Sequence, residues 1–282
     1  MAGVRDIRRR IRSIKNTQQI TKAMKMMAAA KLRKAQEKVV AARPYSRQLQ
    51  DVLARLAQAA DARHPLLEQR EVKTIAYVVV TADRGLCGGY NANIIRTTSQ
   101  AIAEANVPIQ MVAVGSKARD FFRRRGANIT SEYVALGDNP SFVQASEIAK
   151  EIVRLYTERE VDEVRLIYTE FISAISQRPV HVKLLPLKAP KQEAKTKGIY
   201  LFEPSAEGIL ESLLPKYVET LVFRALLEAK ASELGAKMTA MGAATDAAKD
   251  MIERYTLQMN RARQAAITKE ISEIVGGIAA LE

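Results

Sequence analysis

From Ile209 to Leu281 the chain holds a single proline, Pro215, near the start. Apolar residues return there at intervals of three and four: Leu210, Leu214, Tyr217, Leu221, Met238, Met241, Ala244, Ala248, Met251, Tyr255, Met259, Ala262, Ala266, Ile271, Ile274, Ile278 and Leu281. This spacing predicts one continuous helix. At ~1.5 Å per residue it makes a rod of roughly 110 Å, too long for an ordinary domain to enclose. A helix of that length leaves its apolar stripe in water unless a second helix covers it.

The other end of the chain supplies that second helix. Up to about Ala60 the only glycine is Gly3 and the only proline is Pro44. Ile7, Ile11, Ile14, Ile20, Met24, Met27 and Ala28 carry an apolar stripe through a background of good helix formers. Pro44 removes one ladder donor and is expected to bend the helix. Leu49, Val52, Leu53 and Leu56 resume the period before His64-Pro65 stops it. Wound antiparallel, the two helices bury both stripes along a coiled-coil seam. Small residues (Ala28, Ala35, Ala244, Ala248) permit a close approach of the axes.

Between them the period changes. Thr74 to Thr81, Ile109 to Gly115 and Val164 to Phe171 are short β-branched or aromatic runs, and Pro179 to Leu187 reads as an edge strand. Helical stretches at Asn91 to Ala105, Ser116 to Arg125 and Phe142 to Arg159 separate the strands, so a mostly parallel, Rossmann-like sheet with helices on its faces is expected. The fold class is therefore α/β with a long antiparallel two-helix coiled coil. It divides into an N-terminal helix (1–60), a globular α/β domain (72–204) and a C-terminal helix (209–282) packed on the first.

Charge is distributed unevenly. The net charge is +13, yet Met1 to Arg43 alone holds thirteen Lys and Arg against Asp6 and Glu37. An acidic partner should meet this segment most strongly. Its apolar residues are interleaved with the charges, whereas a basic zipper that reads a DNA groove carries its zipper after the basic region. A basic nucleic-acid-binding coiled coil is thus the weaker alternative. No apolar run approaches the ~18 residues of a spanning helix, so no direct membrane insertion is expected. One cysteine, Cys87, allows no internal disulfide switch, and without a cleavable signal pattern a reducing compartment fits best.

The run Thr81 to Asn91, TADRGLCGGYN, follows a strand and opens a helix, where a phosphate-cradling loop would lie. It matches neither G-x-G-x-x-G nor G-x-x-x-x-G-K-[ST]. The glycines read as a tight connection, Asp83 and Arg84 as turn caps and Cys87 as a small buried hydrophobe. A Rossmann-like nucleotide-binding enzyme using Gly85 to Gly89 is the second alternative. His64 and His181 are too few and too far apart for a metal cluster or a catalytic dyad, so no cofactor, metal or catalytic residue is assigned. At the far end Ile267, Ile271, Ile274, Ile278 and Leu281, among Gly276, Gly277, Ala279 and Ala280, are apolar nearly all round, and such a tip calls for an apolar socket.

Four stretches in order resemble the γ subunits of F-type ATP synthases: Ile7 to Lys34, Asp83 to Asn91, YLFEP at Tyr200 to Pro204, and ARQAAITKEISEIVGG from Ala262 to Gly277. The family's SE-x-x-ARM-x-AM appears here as SELGAKMTAM from Ser232, where Lys237 keeps the charge but loses the arginine fork. The resemblance implies a non-catalytic rotor shaft that couples a proton-driven ring to catalytic sites on surrounding subunits. It implies one copy per complex, α and β subunits, an ε subunit and a membrane c-ring as partners, no specific nucleic acid, and a peripheral place on the cytoplasmic side of a bacterial plasma membrane. By the same likeness Arg10, Lys22, Met24, Lys25, Lys31, Arg263 and Gln264 are candidates for contact with β subunits. Ile267, Ile271, Ile274, Ile278 and Leu281 would form a bearing tip, and Tyr200, Phe202 and Glu203 would meet the ring or ε.

Overall fold

The computed structural model describes residues 4–59, 64–187 and 205–279. Helix α1 runs Val4–Ala59, continuous through Pro44, and after a single 3-10 turn at Pro65–Leu67 the α/β region begins. Its elements are β1 (Ile75–Val80), α2 (Tyr90–Glu104), β2 (Ile109–Val114), α3 (Ser116–Arg123), β3 (Ile129–Tyr133), α4 (Phe142–Thr157), β4 (Glu163–Phe171) and β5 (Gln177–Leu185). Helix α5, Ala206–Ala279, closes the chain and carries Pro215 inside its first turns.

The five strands lie in the order β3-β2-β1-β4-β5, parallel except for the β4-β5 hairpin. β1 sits at the centre with all six residues buried. Its alternate side chains go to two cores. Ala76, Val78 and Val80 join Val112, Val114, Val164 and Leu166 under α4, α5 and the second half of α1. Ile75, Tyr77 and Val79 join Met111 and Ile167 under α2 and α3. The expected strands and helices are present. β3 is the addition: ITSEY buries none of its residues fully, as befits an edge strand, so its apolar signal was too thin to read.

Packing groups the chain into two units, Ala28–Lys237 and Met1–Met27 with Met238–Glu282. The sheet's unit takes in the inner parts of both long helices because Leu49, Leu53 and Leu56 of α1 and Leu210 through Ala229 of α5 belong to the same core as β1. In that unit α1 buries Ala28, Leu32, Ala35, Val39, Ser46, Leu49, Leu53 and Leu56, steps of four and three with one half-buried residue, Ala42, between Val39 and Ser46. That is the 3.5-residue repeat of a coiled-coil face.

The other unit is a two-helix coiled coil. Ile7 and Ile11 are buried, Ile14 and Gln18 half-buried and Thr21 buried, against a face of α5 made by Met241, Thr245, Ala248, Ile252, Tyr255, Met259 and Ala262. Thr245 Oγ1 donates to Thr21 Oγ1 at 2.8 Å, and Gly242 lies against the Lys25 stem. One sequence index rises as the other falls, so the pair is antiparallel. The expected stripe needs correction here: Ile20 is 60% and Met27 56% exposed, and Met251 also faces out. The polar Gln18 and Thr21 take their places, because a strict alternation of four and three from Ile7 lands on 18 and 21 and misses 20 and 27.

Gly115 joins β2 to α3 with φ +95°, and an added Cβ there would overlap the Thr81 carbonyl. Gly126 also has a positive φ, +71°, but open space around it. Gly126→Ala should therefore cost only the left-handed backbone penalty of about 1–2 kcal/mol, whereas Gly115→Ala should cost about 2–5 kcal/mol by adding a steric clash. Urea midpoints at equal m-value measure the difference; equal losses would show that the Thr81 carbonyl does not confine Gly115.

Candidate functional site

The strand order reverses between β1 and β4, and α/β folds of this kind bind ligands outside the carboxyl ends of the strands at such a point. Here α5 fills it. Ser232 Oγ donates to the Thr169 carbonyl of β4 at 3.1 Å. A Cβ on Gly235 would stand 3.0 Å from both the Ala174 carbonyl and Gln177 Nε2, so the helix backbone lies directly on the β4-β5 turn. Ala236 packs on the core of Cys87, Tyr90 and Ile167. From Tyr217 to Gly235 no residue of α5 is exposed.

The DRGLCGGYN loop serves this packing. Leu86 (φ 63°) and Gly88 (φ 57°) turn the chain. Asn91 accepts from the Ala82 N–H and donates to Cys87 Sγ at 3.2 Å. Burial, and next the nearby Glu233 carboxylate, push both the Cys87 thiol and the Tyr90 phenol up, so both stay neutral. Asp83 does not cap its own turn. Its Oδ1 accepts from the backbone N–H of Ser116 at 3.0 Å and from its hydroxyl at 2.9 Å, at the start of α3. Burial alone would raise its carboxyl; the N–H groups of Ser116, Ala135 and Leu136 hold it below the usual range.

Among the described residues no group of three or more His, Cys, Asp or Glu could hold a metal. His64 Nδ1 accepts from the Leu66 N–H, and His181 stands 5.7 Å from the Tyr77 ring. Burial, first among the causes, lowers both imidazoles. They are structural residues on separate elements.

The predicted contact residues fall on the long helices. Arg10, Lys22, Lys25 and Lys31 are exposed on α1 and Met24 is half-buried. Exposed Ile20, Met26 and Met27 interrupt the lysines, giving a mixed basic and apolar surface. Lys31 Nζ is already engaged, donating to Asp138 Oδ2 at 2.6 Å. On α5 every described residue from Arg263 to Gly276 is exposed. Ile267, Ile271 and Ile274 stand 48%, 56% and 64% exposed. Only the backbone of Ile278 is described, and Leu281, Tyr200, Phe202 and Glu203 lie outside the described residues.

Sequence reasoning missed a chain of charges that, within the sheet's unit, joins both long helices to the loop between β3 and α4. Asp138 also lies 3.3 Å from Lys230 Nζ, and Glu233 accepts from Lys230 and Lys237 at 2.9 Å each. The spacings 230, 233 and 237 on one helix face were the legible signal. Asp138 sits in a loop and gave none.

A doubly wound sheet whose ligand crevice is filled by α5, in a chain whose two ends also form a two-helix coiled coil, defines an α/β protein with long paired terminal helices. A sequence model described as ATP synthase matches residues 3–281. The ATP synthase gamma chain of Desulfitobacterium hafniense is 67% identical over the whole of both chains, and that of Desulforamulus reducens 61%. The central stalk/c-ring structure of Tetrahymena thermophila mitochondrial ATP synthase contains a chain that aligns at TM-score 0.62 and 27% identity, over 80% of this chain and 99% of that one. A chain of the Euglena gracilis mitochondrial ATP synthase shares the fold at TM-score 0.75 and 21% identity, over 99% of this chain and 94% of that one. The chain belongs to the ATP synthase gamma-chain family. It is the non-catalytic central stalk of the enzyme, and neither the nucleic-acid nor the nucleotide-enzyme alternative is favoured.

With the crevice filled, calorimetric titration of the purified chain with ATP should give no saturable heat. Stoichiometric binding in the micromolar range would contradict the packing of Ser232 to Ala236 on β4.

Proposed function

We propose that the chain turns, one copy per complex, inside a ring of α and β subunits, and is driven through an ε subunit and a membrane c-ring on the cytoplasmic side of a bacterial plasma membrane. No helix among the described residues is long and apolar enough to cross a membrane, which suits attachment through partners. The observation that carries the reading is the end of α5. Its apolar pattern continues through Ile267, Ile271 and Ile274, yet every side chain from Arg263 to Gly276 is exposed. An apolar stripe without cover in its own chain is an axle awaiting a sleeve.

A shaft changes the state of its neighbours only through contacts that differ with angle; equal grip on every state shifts nothing. Ile267, Ile271, Ile274, Ile278 and Leu281 form the smooth bearing. Arg263 and Gln264, exposed where pairing with α1 ends, act as the directional catch, because a guanidinium fork and an amide make and break hydrogen bonds with one β subunit at a time. Arg10, Lys22 and Lys25, with Met24 beside them, meet acidic β-subunit surfaces by attraction that salt screens. Lys31 is a further candidate for such a contact. Tyr200, Phe202 and Glu203 are assigned to the ring or ε end.

Bearing and catch have opposite mutational signatures. Truncating Ile267, Ile271 or Ile274 to alanine should weaken assembly by about 1–3 kcal/mol per side chain once the tip is enclosed, with little change in ATPase rate per assembled complex. Arg263→Ala or Gln264→Ala should leave assembly intact and lower that rate. The assignment fails if tip truncations stop turnover in stable complexes while both catch substitutions are silent.

A further inference from the structure

The loop between β3 and α4 is held from two sides. On one, the Asp83 carboxylate, fixed by Ser116 at 2.9 and 3.0 Å, faces the N–H groups of Ala135 and Leu136. On the other, Gln144 Nε2 of α4 donates to the Leu136 carbonyl at 3.3 Å. Ala135 (φ 57°) and Gly137 (φ 78°) reverse the chain between these anchors. The loop then delivers Asp138 to both long helices at once. Oδ2 accepts from Lys31 of α1 at 2.6 Å, and Oδ1 lies 3.3 Å from Lys230 of α5. Asn139 adds an acceptor for Lys38 at 3.3 Å. Lys230 passes the linkage to Glu233, which is 7% exposed and also receives Lys237.

We propose that Asp138 is a torsional clamp that couples the α/β region to both helices of the shaft, and that Asp83 is the positioning residue that sets its loop. Burial favours contact without regard to direction, whereas an ion pair adds an attraction whose strength falls as its two groups are turned apart. A carboxylate shared by ammonium groups on two different helices resists such a turn in both senses. Asp138 and Lys31 are each about half exposed, so the pair adds little to folding stability. Its effect is on stiffness. This assigns the aspartate of the DRG sequence a mechanical purpose, and Lys31 a place in the support of the shaft in addition to its outward face.

The inference rests on the rotor reading, and the test separates the two. In assembled complexes with the α and β subunits immobilised, a bead on the α/β region reports rotation with ATP. With the tip cross-linked to the ring, its angular fluctuations report torsional stiffness. Wild type that never rotates would overturn the rotor reading itself. With rotation present, Asp138→Asn should lower stiffness about two-fold while leaving the thermal midpoint nearly unchanged, as expected for a half-exposed pair. Asp138→Glu should restore part of it. Raising salt to about 1 M, where the screening length is ~3 Å, should soften wild type but not Asp138→Asn. Asp83→Asn should reproduce the softening with Asp138 intact. Unchanged stiffness in Asp138→Asn, or softening confined to Asp83→Asn, overturns the clamp; should Asp83→Asn fail to fold, the Asp138 variants and the salt series decide.

Discussion

Helix α5 meets three surroundings in turn, and each is written into its side chains. From Tyr217 to Gly235 no residue is exposed, and the helix is buried or half-buried on every face, with Ser232, Glu228 and Glu233 buried among the hydrophobes. From Met241 to Ala262 a single stripe is covered; from Arg263 to Gly276 nothing is. A helix buried all round is a core element, one buried on a stripe is half a coiled coil, and one bare on all sides finds its cover elsewhere. The sheet, the α1 seam and the loops are arranged around the first of these. The last is what makes the chain a subunit.

The same helix occupies the place where α/β folds of this kind hold a ligand. The topological switch point is intact, and so is the glycine-rich connection after β1. The crevice holds a protein helix instead, seated by a glycine where its backbone touches the β4-β5 turn. Fold and function part company at one position, which is why the fold alone assigned no activity. The buried acid Glu233 is tolerated in that seat because Lys230 and Lys237 flank it on the same helix.

Much of this was legible in the sequence, and the rest was lost for physical reasons. Long helices declare themselves by period, and buried parallel strands by β-branched runs, so α1, α5, β1, β2 and β4 were readable. The edge strand β3, half polar, was not. The seam was readable as a seam but not residue by residue: Ile20 and Met27 look like core and face outward, while Gln18 and Thr21 look like surface and face inward. A 3.5-residue repeat chooses by position and accepts a threonine that finds a partner, as Thr21 does in Thr245. Asp138 was invisible because a loop carboxylate has no period, and only the fold reveals that two lysines from distant helices converge on it. The contact residues on α1 and at the tip were named by family likeness, because neither period nor motif marks a lysine or an isoleucine for a partner outside the chain.

The central proposal is that this chain is a shaft that turns within a ring of other subunits. The most direct measurement fixes the α and β subunits to a surface, attaches a bead to an exposed cysteine introduced at Lys73, and adds ATP. The account predicts unidirectional rotation of the bead through many full turns, stopped by a disulfide between the α5 tip and the ring. Undirected angular fluctuation in complexes that hydrolyse ATP at the normal rate would contradict it.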